Sequence, residues 1–162
     1  MIDAKILKEI KFFEGLNTSE LEQIAKLCLI VEFKKGNKIF SRGNKAENFY
    51  IIKEGKVKLC FQVNILLEEK EISADTKKVG DVFGWSALSE PYKLTLSANC
   101  DEDCKLIQMR GEEVLSLCRK ENHIGFVIMQ NLAKVVSRRL AQMQFICEKE
   151  IEMNVPSFEG KH

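Results

Sequence analysis

Residues 79–97 read Val-Gly-Asp-Val-Phe-Gly-Trp-Ser-Ala-Leu-Ser-Glu-Pro-Tyr-Lys-Leu-Thr-Leu-Ser, and this segment decides the fold. Its glycines lead into about one turn of helix, which Pro91 ends, and a strand follows. The first backbone N–H groups of a short helix, here those of Trp85, Ser86 and Ala87, have no acceptor inside it. Such groups can bind an anion, and Gly84 has no Cβ to obstruct a ligand. The segment therefore predicts an anion-binding turn between two strands.

The same segment resembles the phosphate-binding cassette of the cyclic-nucleotide-binding domain family. That family reads Phe-Gly-Glu-x-Ala-Leu and, a few residues later, Pro-Arg-Ala-Ala-Thr-Val. The residues of this chain at matching positions are Phe83, Gly84, Ala87, Leu88, Pro91 and Thr95. The flanking glycines Gly36, Gly43 and Gly55 are spaced like the strand turns of that family. The resemblance runs over about residues 16–140 and implies the fold of the family.

Hydrophobic periodicity predicts an α+β protein that is mainly β. In residues 57–63 and 94–100 apolar and polar side chains alternate, as is typical of half-buried strands. Short strands separated by Gly, Asn and Asp turns predict a β-roll or jelly-roll barrel, with helices before it. The polar segment 68–78 is expected to be a mobile hairpin loop. A long helix is predicted over about residues 122–150.

The length of 162 residues is sufficient for one domain with a single core. We expect this domain to occupy residues 1–151, including the long helix, and residues 152–162 to form a flexible tail. Transcription regulators of the family that the chain resembles continue after this helix into a helix-turn-helix domain. Only about a dozen residues follow the helix here, which is too few for such a domain. Direct DNA binding is therefore not expected.

Charge and hydropathy restrict the partners further. The chain has 25 Lys and Arg against 24 Asp and Glu, a net charge of +1, which gives no basic surface typical of nucleic-acid or membrane binding. Lys134, Arg138 and Arg139 form a small basic cluster that we expect to pair with acidic side chains. No apolar stretch is long enough to span a bilayer, and the N-terminus is too charged for a secretory signal. We expect a cytoplasmic protein without membrane contact.

Neither enzymatic activity nor a bound metal is predicted. A metal-dependent barrel needs two or three histidines on its strands, whereas this chain has only His123 and His162. No nucleophile motif or phosphate-loop lysine motif is present. Six cysteines are expected to be reduced thiols. Cys100 and Cys104 are either a redox or metal pair or, more simply, the two ends of a hairpin.

The resemblance implies a ligand pocket between the short helix, the strand at Thr95 and the start of the long helix. The residues expected to contact the ligand are Phe83, Gly84, Trp85, Ser86, Ala87, Tyr92, Lys93 and Thr95. The glutamate with which the family holds the ribose is Trp85 here, and the arginine that pairs with the cyclic phosphate is Tyr92, followed by Lys93. Two lost charge-assisted hydrogen bonds weaken binding by ~3–6 kcal/mol. Unless Lys93 reaches the phosphate, tight binding of cyclic AMP or cyclic GMP in the usual pose is not expected.

The long helix carries an apolar seam whose members are separated alternately by three and four residues. These are Phe126, Met129, Ala133, Val136, Leu140, Met143 and Cys147. This spacing is that of a coiled coil and predicts a homodimer with a second copy of the helix. The alternative is one wide stripe that packs on the chain's own barrel. Members of the family that the chain resembles dimerise through the corresponding helix, which favours the homodimer.

Two functional hypotheses follow. The first is a dimeric ligand-sensing regulatory module that binds a nucleotide or another small anionic effector. Binding would change the angle or order of the long helix, and so a dimer or partner surface. The second is a ligand-free interaction scaffold in which Trp85 fills the pocket. An open volume beside Gly84, lined by Lys93 and Thr95, favours the sensor, whereas a volume filled by Trp85 and Tyr92 favours the scaffold.

Overall fold

Eight strands form two antiparallel four-stranded sheets in the computed structural model, which describes residues 2–154. In chain order the strands are β1 (Leu29–Phe33), β2 (Lys38–Phe40), β3 (Asn48–Glu54), β4 (Val57–Ile65), β5 (Glu68–Lys77), β6 (Val82–Phe83), β7 (Ser97–Cys100) and β8 (Cys104–Arg110). The first sheet has the order β1-β8-β3-β6 and the second β2-β7-β4-β5. The predicted β-roll with helices before and after it is confirmed.

Strand β3 contributes to two separate hydrophobic cores because its apolar run is buried on both faces. Phe49 and Ile51 pack with the helices, whereas Tyr50 and Ile52 pack between the two sheets. This division follows from the alternation of side chains along a strand. Between the sheets the rings of Tyr50 and Phe83 stack with their centroids 5.2 Å apart. That contact fixes β6, and with it the start of the segment that carries the short helix.

The hairpin of β4 and β5 contradicts the loop predicted for residues 68–78. Strand β5 pairs with β4 over its whole length, from Val57 opposite Lys77 to Ile65 opposite Glu68. Leu66 and Leu67, with φ of 51° and 68°, form the two-residue turn. β5 lies at the edge of its sheet and most of its side chains are exposed, so its polarity reflects an edge strand rather than a loop.

Besides the 3₁₀ helix Trp85–Leu88, four α-helices and a further short 3₁₀ helix lie within residues 2–154, and they pack on the face of the first sheet that points away from the second sheet. They are α1 (Ala4–Lys8), the 3₁₀ helix Lys11–Phe13, α2 (Thr18–Ala25), α3 (Gly111–Lys120) and α4 (Asn122–Asn154). None of the helices in this part of the chain combines the length and apolar character that a membrane span requires.

Helix α4 is about 50 Å long and extends past the roll. Its fully buried residues all lie between Ile124 and Leu132, and the rest of the helix, through Asn154, contains none. Residues 152–154 continue the helix, and residues 155–162 of the predicted tail lie outside the described residues. In the single chain, most of the surface of the second half of α4 is therefore exposed to solvent.

Candidate functional site

The cassette helix is a single 3₁₀ turn, Trp85–Leu88, that directly follows β6. Gly84 precedes it with a left-handed φ of 71°, and a Cβ there would lie 3.2 Å from the Asn48 carbonyl oxygen. The Ala87 amide donates to the Gly84 carbonyl at 3.1 Å, so the expectation that it is free is wrong. Among residues 2–154 the amides of Trp85 and Ser86 have no such acceptor, and they remain available.

A cavity of about 250 Å³, the cassette cavity, lies between the cassette helix, the second sheet and α4. Its lining residues are Phe40, Leu59, Phe61, Lys77, Gly84, Trp85, Ser86, Leu94, Thr95, Leu96, Val135, Arg139 and Met143. A second cavity of about 440 Å³, the outer cavity, shares Trp85, Ser86, Leu94 and Thr95 with it. Trp85 thus lies in the wall of two cavities, and an open volume remains beside Gly84.

The structure brings five of the sequence-predicted ligand residues to these cavities. Gly84, Trp85, Ser86 and Thr95 line the cassette cavity, and Lys93 lines the outer one. Arg42 and Glu90 also line the outer cavity. The backbone amide of Arg42 donates to the Oγ of Ser97, which is fully buried, at 3.0 Å. The outer cavity therefore has two basic side chains and one acidic one on its wall.

The other three predicted ligand residues lie elsewhere. Phe83 is fully buried between the sheets, where it stacks on Tyr50. Ala87 is buried, and its carbonyl group packs so closely on Gly111 that a Cβ at residue 111 would meet it at 2.1 Å. Tyr92 and Ala87 line a different cavity, of about 400 Å³. Phe83 and Ala87 therefore position the cassette helix, and Tyr92 does not replace the family's arginine in the cassette cavity.

Sequence reasoning did not place Lys77 and Arg139 at the site. Asp75 and Lys77 belong to β5, which was predicted to be a loop, and Arg139 lies in the middle of α4. Oδ2 of Asp75 lies 2.7 Å from Nζ of Lys77 and 3.4 Å from Nη1 of Arg139. All three side chains are less than one-fifth exposed, at 13%, 19% and 15%. The expected pairing of Arg139 with an acidic group is present, and it joins α4 to the second sheet.

The Cys100 and Cys104 thiols occupy the facing ends of β7 and β8, and both are buried. Cys104 Sγ donates to the carbonyl oxygens of Lys56 and Glu102, at 3.2 and 3.1 Å. Burial raises the pKa of Cys100 to about 12. A thiol that stays protonated is a poor nucleophile and metal ligand, so the redox or metal interpretation is not favoured. The hairpin interpretation is wrong as well, because β7 and β8 belong to different sheets and the two cysteines flank a connection between the sheets. Within residues 2–154 no group of three His, Cys, Asp or Glu side chains could hold a metal ion.

The predicted seam is largely exposed along α4. Phe126 is 64% exposed and Leu140 58%. Met129, Ala133 and Cys147 are exposed as well, whereas Val136 and Met143 are half-buried. Met143 also lines the cassette cavity. The seam does not pack as one stripe on the chain's own roll, and the helix that carries it also forms a wall of the site.

Comparison with known proteins points to a single family. The model of the cyclic nucleotide-binding domain matches residues 30–121. The chain is 26% identical over 153 residues to the cyclic AMP receptor protein of Thermus thermophilus, a match of 94% of this chain and 65% of that protein. The chain thus spans a little less than two thirds of the length of that relative.

Solved structures share the architecture. A crystal structure from Geobacter metallireducens GS-15 superposes with a TM-score of 0.76 and 28% identity, covering 86% of this chain and 99% of the other. The catabolite activator protein of Thermus thermophilus superposes with a TM-score of 0.71 and 25% identity, covering 85% of this chain and 61% of the other. The likeness extends over most of the described chain.

Proposed function

The chain belongs to the cyclic nucleotide-binding domain family, and from this premise we propose that it is a ligand-sensing regulatory module. Its ligand is a cyclic nucleotide or a related small anionic effector, and it binds in the cassette cavity. The role is regulation by binding rather than catalysis. Because the chain covers only part of its curated relative, the activity of that whole protein is not transferred.

The observation that carries this proposal is the open volume beside Gly84. The cassette cavity lies at the N-terminal end of the cassette helix and has the amides of Trp85 and Ser86 in its neighbourhood. Its walls are mainly apolar, as is usual for small-molecule sites, with a few polar groups that would orient the ligand. A vestigial pocket would have its large side chains packed into this volume.

Two positions at which this chain differs from the family, those of the glutamate and the arginine, change the groups that a ligand would contact. Trp85 has a flat indole face on which a base can stack, but it cannot accept a hydrogen bond as the family's glutamate does. Lys93 lies at the outer cavity and presents a point charge rather than the two-pronged contact of arginine. These differences support a ligand pose or selectivity different from that of the usual cyclic AMP site.

The signal would be transmitted through α4. Val135, Arg139 and Met143 line the cassette cavity from this helix, while Leu140, between them, belongs to the exposed seam. We infer that the seam pairs with that of a second copy to form a homodimer. A ligand that contacts both the cassette and α4 shifts the helix by its difference in affinity for the two arrangements. The dimer or partner surface would then depend on ligand.

A thermal-shift screen tests the proposal. Purified protein is melted with cyclic mononucleotides, dinucleotides and common metabolites, each far above its expected dissociation constant. A ligand at about 100 times its dissociation constant stabilises the folded state by ~2.7 kcal/mol, which raises the melting temperature by roughly 5–10 °C for this chain length. No shift with any nucleotide would contradict the proposal and favour the ligand-free scaffold.

A further inference from the structure

The charged side chains that line the cassette cavity are both basic. Within residues 2–154 they are Lys77, at the end of β5, and Arg139, in the middle of α4. The other lining residues are apolar or carry only neutral polar groups. A largely buried cation is unfavourable unless an anion or hydrogen-bond acceptors compensate for its lost hydration. The electrostatics of this wall therefore favour a negatively charged occupant.

One carboxylate compensates for these two cations only in part. Asp75 Oδ2 lies 2.7 Å from Lys77 Nζ and 3.4 Å from Arg139 Nη1, so two positive charges and one negative charge leave a net charge of +1. Asp75 is not among the residues that line the cavity. Among residues 2–154 no carboxylate side chain lines the cassette cavity itself.

The Arg139 guanidinium has donors left for a ligand. Nη1 approaches Asp75 and also donates to Oε1 of Gln142 at 3.1 Å. A guanidinium has five N–H donors on three nitrogens. In the part of the chain that the structure describes, Nη2 and Nε make no hydrogen bond to protein. Arg139 can thus bind an anion without losing its approach to Asp75.

We propose that Lys77 and Arg139 bind the phosphate group of the ligand on the β5 and α4 side of the cassette cavity. This inference rests on the proposed function, because it concerns the same cavity. In this proposal the phosphate does not bind at the family's arginine position. Tyr92, at that position, lines another cavity, and the neighbouring Lys93 lines only the outer cavity. Because Arg139 immediately precedes Leu140 of the seam, phosphate binding also holds α4 against the roll.

The test compares Arg139→Gln and Lys77→Gln with the matched control Arg138→Gln. Arg138 has the same charge and lies on the same helix, but it is exposed and does not line the cassette cavity. Dissociation constants for cyclic AMP and cyclic GMP are measured by calorimetry. The first two variants are expected to lose roughly 10- to 150-fold in affinity, as for a charge-assisted hydrogen bond, and the control less than about threefold. Affinity for adenosine, which has no phosphate, stays the same in all three.

A fourth variant, Asp75→Asn, separates anion binding from a structural role of the cluster. Asp75→Asn raises the net charge of the cluster from +1 to +2 and leaves both cations in place. The affinity for cyclic nucleotide is expected to stay the same or to increase. A loss of affinity comparable to that of Arg139→Gln would overturn the proposal, because it would mean that the intact cluster matters only for the shape of the wall.

Inorganic phosphate, used as a separate probe, distinguishes failure of this inference from failure of the proposed function. Equal affinity of the wild type, Arg139→Gln and Lys77→Gln for cyclic nucleotides overturns the phosphate contact and leaves the sensor function standing. Phosphate that stabilises the wild type but not Arg139→Gln, while no nucleotide binds, supports the contact and contradicts the nucleotide function. If neither phosphate nor any nucleotide stabilises the wild type, both the phosphate contact and the proposed sensor function are wrong.

Discussion

Arg139 Nη1 lies 3.4 Å from Oδ2 of Asp75, and this contact links the long helix to the edge strand of the second sheet across one wall of the cassette cavity. The two residues are 64 positions apart in the sequence, and neither belongs to the cassette. The cassette helix, the second sheet and α4 together therefore form the site. A ligand in the proposed site would contact both the cassette helix and the helix that carries the seam.

The first prediction concerns the ribose. Trp85 occupies the position of the family's glutamate and has no acceptor for a ribose hydroxyl. The wild type should therefore bind cyclic AMP and its 2′-deoxy analogue with similar affinity. In Trp85→Glu the ribose form should become favoured by roughly 10-fold or more, as for a hydrogen bond to a charged group. Calorimetric titrations measure this, with Trp85→Leu as the control that removes the ring without adding a carboxylate. A strong preference of the wild type for the ribose form would contradict the prediction.

The second prediction uses the exposed thiol on the seam. Cys147 is the one exposed cysteine among the described residues, and in a parallel two-stranded coil it lies opposite its own copy. A short bismaleimide should cross-link the protein into a covalent dimer on a denaturing gel. The dimer band should disappear in Cys147→Ser and persist in Cys118→Ser, whose thiol is half-buried. Only monomer in the wild type would count against the seam.

The third prediction places a charge in the seam. Leu140 is 58% exposed, so Leu140→Glu leaves the core of the single chain intact but puts two carboxylates opposite each other in a dimer. Size-exclusion chromatography with light scattering should report a monomer. Ala141→Glu adds the same charge at the next exposed position, outside the seam spacing, and should remain dimeric. A dimer in both variants would show that the subunits associate through another surface.

The fourth prediction concerns the contact that positions the cassette helix. A Cβ at residue 111 would lie 2.1 Å from the Ala87 carbonyl oxygen, so Gly111→Ala must displace either the cassette helix or α3. Overpacking of this kind destabilises by about 1–3 kcal/mol, even though alanine is the better helix former. Urea denaturation measures the loss, and Glu112→Ala, at the next and exposed position, serves as the control. An unchanged midpoint in Gly111→Ala would contradict this packing.

The fifth prediction is a pH dependence. Burial raises the pKa of Glu20, but hydrogen bonds from the Asn17 amide and from His123 outweigh it and hold the pKa below 4.5. A folded-state pKa below the unfolded value stabilises the protein above pH about 4.5, and this stability is lost as the pH falls through the folded value. Unfolding free energies of the wild type and Glu20→Gln should therefore differ at pH 7 and converge near pH 3.

The control for this pH dependence is Glu22→Gln, an exposed carboxylate on the same helix. The difference in unfolding free energy between Glu22→Gln and the wild type should stay small and nearly constant from pH 7 to pH 3. A Glu20→Gln difference that persists at pH 3 would mean that the carboxylate charge is not what stabilises the start of α2.

The sequence predicted the roll because its signals are local. The alternation in residues 57–63, the turn glycines and the cassette segment each depend on neighbours a few residues apart. The edge strand β5 was not predicted because polar residues are common both in loops and on exposed strands. Only the backbone pairing with β4, for example of Lys77 with Val57, shows that this segment is a strand. A two-residue turn of leucines gave no recognisable hairpin signal.

The candidate site was only partly accessible to sequence reasoning for the same reason. Gly84, Trp85, Ser86 and Thr95 lie within one short segment, and the resemblance named them together. Lys77 and Arg139 reach the cavity through the packing of α4 on the second sheet, which no local pattern encodes. Tyr92 follows Pro91 where the family motif has its arginine, yet it lines a separate cavity.

Trp85 offers the most direct measurement, because it is the only tryptophan of the chain and lies in the wall of the cassette cavity. The purified protein is titrated with cyclic AMP and cyclic GMP while the indole emission is recorded. We expect a saturable change in emission for at least one of them, at one ligand per chain. Emission that stays constant up to millimolar concentrations of both, together with unchanged melting temperatures, would contradict the claim that this cavity is a nucleotide sensor.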